Sequence, residues 1–234
     1  MPKLLGLILA ASFSLVLVPG VGARARAEDP CIQPGETAVR LTASDGASIY
    51  GVEVGTGTTG VVLGHQYLSD HCELMDFARA LAARGYRALA IDFRNWGQSR
   101  GGDARRLDLD VAAAAARLRA DGATRIKLVG ASMGGTAVLV AAASITPAVD
   151  GVVSLSGPAR YRGLDALRAV RTLRVPVRFA VARADRPFAA DAVALLKATA
   201  TKDKAIYRVA GGAHGSSLLD RPGPLAFVLA FLAR

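Results

Sequence analysis

Short apolar runs recur along the chain at residues 60–65 (GVVLGH), 87–93 (RALAIDF), 125–130 (RIKLVG), 151–155 (GVVSL), 175–181 (VPVRFAV) and 205–209. They are apolar almost throughout rather than alternating, which is the pattern of strands covered on both faces. Between most of them lie amphipathic stretches of helical length at 70–84, 103–121, 133–143 and 188–200, and another at 222–233 closes the chain. Asp70 and Glu73 have the spacing of a capping box, and Gly85 is a stop signal. Ahead of this region, 37–43 and 47–54 alternate in strand fashion around Ser44-Asp45-Gly46-Ala47, which predicts an antiparallel hairpin. A short helix is expected at about 162–170. The expected fold is α/β: a mostly parallel central sheet with an N-terminal antiparallel hairpin and helices on both faces. No repeat or long linker divides residues 28–234, so one domain is expected.

Residues 1–27 do not fit this pattern. Lys3 precedes an apolar stretch from Leu4 to Val18, Pro19-Gly20 breaks it, and Ala25-Arg26-Ala27 offers small residues around a cleavage point. That is the layout of a signal peptide. The run is shorter than the ~20 residues that span a bilayer. The expected product is therefore an exported chain, 28–234, without a stable membrane span; a retained anchor is the alternative. Glu28-Asp29-Pro30 ahead of Cys31 is not a lipidation signal.

Hydrophobic residues at 52% and charged residues at 21% supply one well-buried core and exclude disordered and collagen-like classes. Taking Lys3, Arg24 and Arg26 from the 29 cationic side chains leaves 26 against 19 acids, a net charge of +7. The arginines are scattered and no nucleic-acid motif accompanies them, so no nucleic-acid partner is expected. The two cysteines, Cys31 and Cys72, lack metal-ligand spacing, and in an oxidising compartment they form a candidate disulfide. Closing that loop of roughly 40 residues is worth at most about 4 kcal/mol.

The chemistry concentrates in loops that follow the apolar runs, where parallel sheets hold their sites. Gly130-Ala131-Ser132-Met133-Gly134-Gly135 joins such a run to a helix. A G-x-S-x-G sequence in that setting exposes its serine on a tight turn, with helical N–H groups behind it. Serine needs a base to act as a nucleophile. His214, in the small-residue loop Gly211 to Ser216, is the candidate base. Asp185, just past the run 175–181, is the candidate for orienting the histidine, with Asp191 in the following helix as its competitor. A metal site built on His65, Asp70 and His71 lacks ligand spacing, and neither metal nor cofactor is expected.

The order Ser132, Asp185, His214, each after a parallel strand, resembles the α/β-hydrolase superfamily over about residues 37–234. The resemblance implies an oxyanion hole made by the N–H groups of Tyr67 and Met133. Gln66 stands where the family has a glycine, which leaves Gln66 N–H as an alternative donor and its side chain as a pocket candidate. Asp92-Phe93-Arg94-Asn95-Trp96-Gly97-Gln98-Ser99 looks like the family's D-x-R-G-x-G-x-S loop, with Asn95 in place of glycine. There Asp92 and Arg94 read as structural, and Trp96 as pocket wall or packing. Only 18 residues, Gly157 to Arg174, are free for a cap, so an open site is expected. The implied activity is carboxylic-ester hydrolysis of a small-molecule or polymer substrate. Amide, thioester or lactone hydrolysis by the same triad, and a catalytically silent binding protein, remain alternatives.

Overall fold

The computed structural model describes residues 29–234, so the expected signal peptide lies outside the described residues. In chain order the elements are β1 (Thr37–Thr42), β2 (Ser48–Val54), β3 (Thr59–Gly64), α1 (Met75–Ala82), β4 (Arg87–Ile91), α2 (Leu107–Ala120), β5 (Arg125–Ala131) and α3 (Met133–Ala142). They continue as β6 (Gly151–Leu155), β7 (Arg160–Tyr161), β8 (Leu164–Asp165), α4 (Ala166–Ala169), β9 (Val177–Ala182), α5 (Phe188–Ala198), β10 (Lys204–Val209) and α6 (Pro222–Leu232). One eight-stranded sheet runs in the order β1-β2-β4-β3-β5-β6-β9-β10. β2 pairs antiparallel with both β1 and β4, and every other pair is parallel.

Burial on both faces explains the unbroken apolar runs. Val62, Leu89, Leu128, Val152 and Phe179 pack in one core with residues of α2, α3, α4 and α5. Their strand neighbours Val61, Leu63, Ala90, Val129, Val153 and Ala180 pack in a second core with α1 and α6. The two-residue period of a strand divides each run between these layers.

Three expected elements differ in detail. The helix expected from residue 103 begins at Leu107, because Asp103 first closes a turn to Arg106 N–H and gives the same carbonyl to Arg94. Asp70 caps a 3₁₀ turn at His71–Leu74 by accepting from Cys72 N–H, but the Glu73 side chain bonds Gln66 N–H and Ser216 instead of completing a capping box. Between β6 and β9, the short helix expected at about 162–170 is a small hairpin followed by a single helical turn. Arg162 and Gly163, with φ of 42° and 91°, take the left-handed conformations that a two-residue hairpin turn requires and a right-handed helix excludes. Cys31 and Cys72 are joined in a disulfide, with their Cα atoms 5.4 Å apart.

Lys127 on β5 is buried, and its ammonium donates to the carbonyls of Phe231 (2.9 Å) and Arg234 (3.1 Å) at the end of α6. Burial, followed by repulsion from Arg125, pushes its pKa down to about 8. The unfolded chain holds this proton up to about pH 10.4. Between these values the unfolded state binds more protons, so stability attributable to Lys127 rises with pH. Urea midpoints at pH 8 and pH 10 should show a rise in the parent that flattens in Lys127→Met. Equal slopes in both proteins would contradict this assignment.

Candidate active site

β5 runs directly into α3 with a single residue, Ser132, between them. Ser132 has φ 47° and ψ −112°, a conformation that costs an L-residue on the order of 1–3 kcal/mol. The surroundings over-determine it. Ser132 N–H donates to the Leu155 carbonyl at 2.7 Å, and its own carbonyl accepts from Thr136 N–H at 3.1 Å. Close approach also dictates the flanking glycines: a Cβ at Gly130 would lie 2.2 Å from the Gly134 carbonyl oxygen, and one at Gly134 would lie 2.3 Å from that of Gly64.

The loop after β10 carries His214, and the loop after β9 carries Asp185. His214 Nδ1 lies 3.0 Å and 3.1 Å from the two Asp185 carboxylate oxygens, so the carboxylate holds the ring proton on Nδ1 and leaves Nε2 as the basic nitrogen. Ser217 closes a local turn around His214, its hydroxyl accepting from His214 N–H at 3.0 Å and donating to the His214 carbonyl at 2.8 Å. The Phe188 ring packs on the imidazole, with centroids 4.3 Å apart. Asp185 is buried and receives a second bond, 2.7 Å, from the hydroxyl of Ser156. Ser156 follows β6 with φ 51°, fully buried. Its tie to Asp185 crosses 29 residues and carries no local sequence signal. Asp191, the competing carboxylate, instead accepts from Ala159 N–H at 3.0 Å.

The loop after β3 borders the same space. Glu73 accepts from Gln66 N–H at 3.0 Å with one oxygen and from the Ser216 hydroxyl at 2.7 Å with the other. One carboxylate thereby ties this loop to the loop of His214, and it occupies Gln66 N–H. Among the described residues no hydrogen bond engages the N–H of Tyr67 or of Met133, the first residue of α3. Behind the loop, burial pushes the pKa of His65 down. Its Nδ1 meets the Gln66 carbonyl at 2.7 Å and its Nε2 accepts from Phe93 N–H at 3.0 Å, as a neutral ring does.

Ser132 and His214 line one cavity of about 480 Å³, although no direct hydrogen bond joins them. Tyr67, Tyr161 and Phe188 supply aromatic walls, and Gln66, Pro158 and Arg160 complete the lining. Trp96 is not on the wall. It stands behind Tyr67, edge to face at 5.1 Å, and packs on the core. Asp70, His71 and Asp92 are close enough to share a cation, but protein hydrogen bonds engage them. Asp92 accepts from His71 N–H (2.8 Å), His71 Nδ1 (2.7 Å) and Gln98 N–H (2.6 Å). Burial alone would raise the Asp92 pKa, yet these bonds outweigh it and hold the carboxyl below its usual range.

A family model for the alpha/beta hydrolase fold matches residues 61–216. The chain belongs to the α/β-hydrolase fold family. The match takes in the β3 loop, the Ser132 elbow, Asp185 and His214. No curated protein matches this α/β hydrolase at the level of sequence. An esterase of Pyrococcus furiosus superposes with a TM-score of 0.73 at 18% identity, covering 84% of this chain and 91% of its own. A Rhodococcus esterase gives 0.68 at 20% identity, covering 84% and 98%. A dienelactone hydrolase from Anabaena variabilis gives 0.67 at 24%, covering 86% and 95%. At these identities the likeness is one of fold. Among the described residues no helix is long and apolar enough to cross a membrane.

Proposed function

We propose that this α/β hydrolase is an exported serine hydrolase that cleaves carboxylic esters through an acyl-enzyme intermediate. The observation that carries this reading is the meeting in one cavity of a serine on a strained elbow with a histidine whose Nδ1 is held by a buried carboxylate. Ser132 Oγ attacks the ester carbonyl as His214 Nε2 takes its proton. Asp185 keeps the ring in the required tautomer and stabilises the imidazolium. The free N–H groups of Tyr67 and Met133 receive the oxyanion. The C–O bond breaks and His214 returns the proton to the departing alcohol. Water, deprotonated by the same nitrogen, then releases the acid and regenerates Ser132. In the resting geometry the serine and histidine need not be hydrogen-bonded, since such contacts commonly tighten only with substrate. Among the described residues the hairpin and single helical turn are the only elements between β6 and β9, which suits an accessible ester. Export rests on the pattern of residues 1–27 and on the Cys31–Cys72 disulfide, which an oxidising compartment preserves.

Hydrolysis of p-nitrophenyl esters of increasing acyl length by residues 28–234 tests the reading. Ser132→Ala and His214→Ala should each lower kcat by about 10⁴-fold or more. A folded parent without activity, or variants that match it, would overturn the proposal.

A further inference from the structure

We infer that the cavity selects esters that carry a carboxylate remote from the scissile bond, with Arg160 on the β7–β8 hairpin as the specificity-determining residue. This inference deepens the serine-hydrolase reading and rests on it for turnover. Among the described residues no acidic side chain lines the cavity, and Arg160 is the arginine in its lining. Arg160 gives only Nε to Asp165, at 3.2 Å, while Asp165 is itself fixed by capping the turn of α4 through Arg168 N–H at 2.9 Å. Among the described residues no hydrogen bond engages the two terminal guanidinium nitrogens of Arg160, a planar pair of donors that a carboxylate fits in bidentate fashion.

Tyr161 and Gln66 also line this cavity, but the Tyr161 hydroxyl and Gln66 Oε1 are closed off from solvent, Oε1 against Gly215, so neither atom faces a ligand there. The charge offered to a ligand is therefore that of Arg160. The hairpin is braced for the purpose: the Arg162 guanidinium lies 5.5 Å from the centroid of Tyr67 and 5.6 Å from that of Tyr161. This stacking links the hairpin to the loop that carries the Tyr67 N–H and adds a second positive charge beside the cavity. The aromatic walls then receive the apolar portion of the ester.

Two matched substrate pairs test the inference. 4-Nitrophenyl monoadipate against 4-nitrophenyl heptanoate places the carboxylate on the acyl side; 4-butyryloxybenzoate against its methyl ester places it on the alcohol side. In at least one pair the charged member should have the higher kcat/KM, chiefly through KM. Because the Arg160 side chain is 68% exposed, the preference expected is about tenfold, the lower end for a charged hydrogen bond. Arg160→Gln should erase that ratio. Arg208→Gln should retain it, because Arg208 lines a separate groove with Arg183 and Arg186 and removes the same net charge. A parent that favours neither charged ester, a ratio that survives in Arg160→Gln, or an equal loss in Arg208→Gln would overturn the inference. If the parent hydrolyses none of the four, the hydrolase reading fails, and calorimetry on Ser132→Ala still decides the selectivity: tighter binding of 4-butyryloxybenzoate than of its methyl ester upholds it, and equal binding overturns it.

Discussion

Asp185→Asn should leave the protein folded and lower kcat on an activated ester by about 10⁴-fold, the loss expected when a triad carboxylate becomes an amide. The carboxylate accepts from two donors, His214 Nδ1 at 3.0 Å and the Ser156 hydroxyl at 2.7 Å. Ser156 can rotate its O–H and accept from the new NH₂ group. The imidazole has no such freedom: when the amide presents NH₂, Nδ1 must become the acceptor, the proton moves to Nε2, and the base is lost. Folding is preserved because both polar contacts persist in altered form. A melting midpoint close to that of the parent, together with the loss in kcat, identifies Asp185 as the orienting group. Activity within tenfold of the parent would refute that role.

The largest loss of stability is expected from Arg94→Ala. Arg94 is fully buried; its backbone N–H, Nε and Nη2 reach the Asp110 carboxylate at 2.9, 2.9 and 2.7 Å. Its guanidinium also pairs with Asp45 and donates to the Asp103 carbonyl at 3.1 Å. Removing it leaves Asp110, itself fully buried, without its cation, which costs about 3–5 kcal/mol. In a domain of this size that lowers the melting midpoint by about 10 °C. The loss should also depend on pH. Burial already pushes the Asp110 pKa up to about 6 against the pull of Arg94, and removing the cation drives it higher. For a carboxyl raised in the folded state, the stabilising contribution is complete below the unfolded pKa near 3.9 and disappears as pH rises through the folded value. The deficit of Arg94→Ala should therefore be smaller at pH 5 than at pH 8. Urea denaturation at the two values checks this, and a constant deficit would contradict it.

Local patterns made the fold class legible. Strands buried on both faces leave continuous apolar runs, the helices between them are amphipathic or Ala-rich, and the alternating hairpin at 37–54 forms as its turn chemistry indicates. The placement of Ser132, Asp185 and His214 was legible for a similar reason: each sits in a loop directly after a strand, and the elbow glycines respond to backbone crowding between neighbours in sequence. What the sequence concealed is held by long-range side-chain bonds. Ser156 reaches Asp185 across 29 residues, and Ser216 reaches Glu73 across 143. Neither spacing has a period or motif. The region after β6 misled for a different reason. The helix expected from about residue 162 is displaced to Ala166–Ala169, because Arg162 and Gly163 form the turn of a hairpin in which Arg162 stacks on Tyr161 and Arg160 pairs with Asp165. The Gln66 substitution was visible in sequence, whereas its consequence, a backbone N–H already held by Glu73, was not.

Every step of the proposed reaction depends on Ser132 being an activated nucleophile. Incubating residues 28–234 with a fluorophosphonate probe and locating the adduct by peptide mass spectrometry tests it most directly. One adduct is expected, on Ser132, with labelling lost in His214→Ala. A folded protein that takes no label, or takes it on another residue, would show that Ser132 is not the nucleophile.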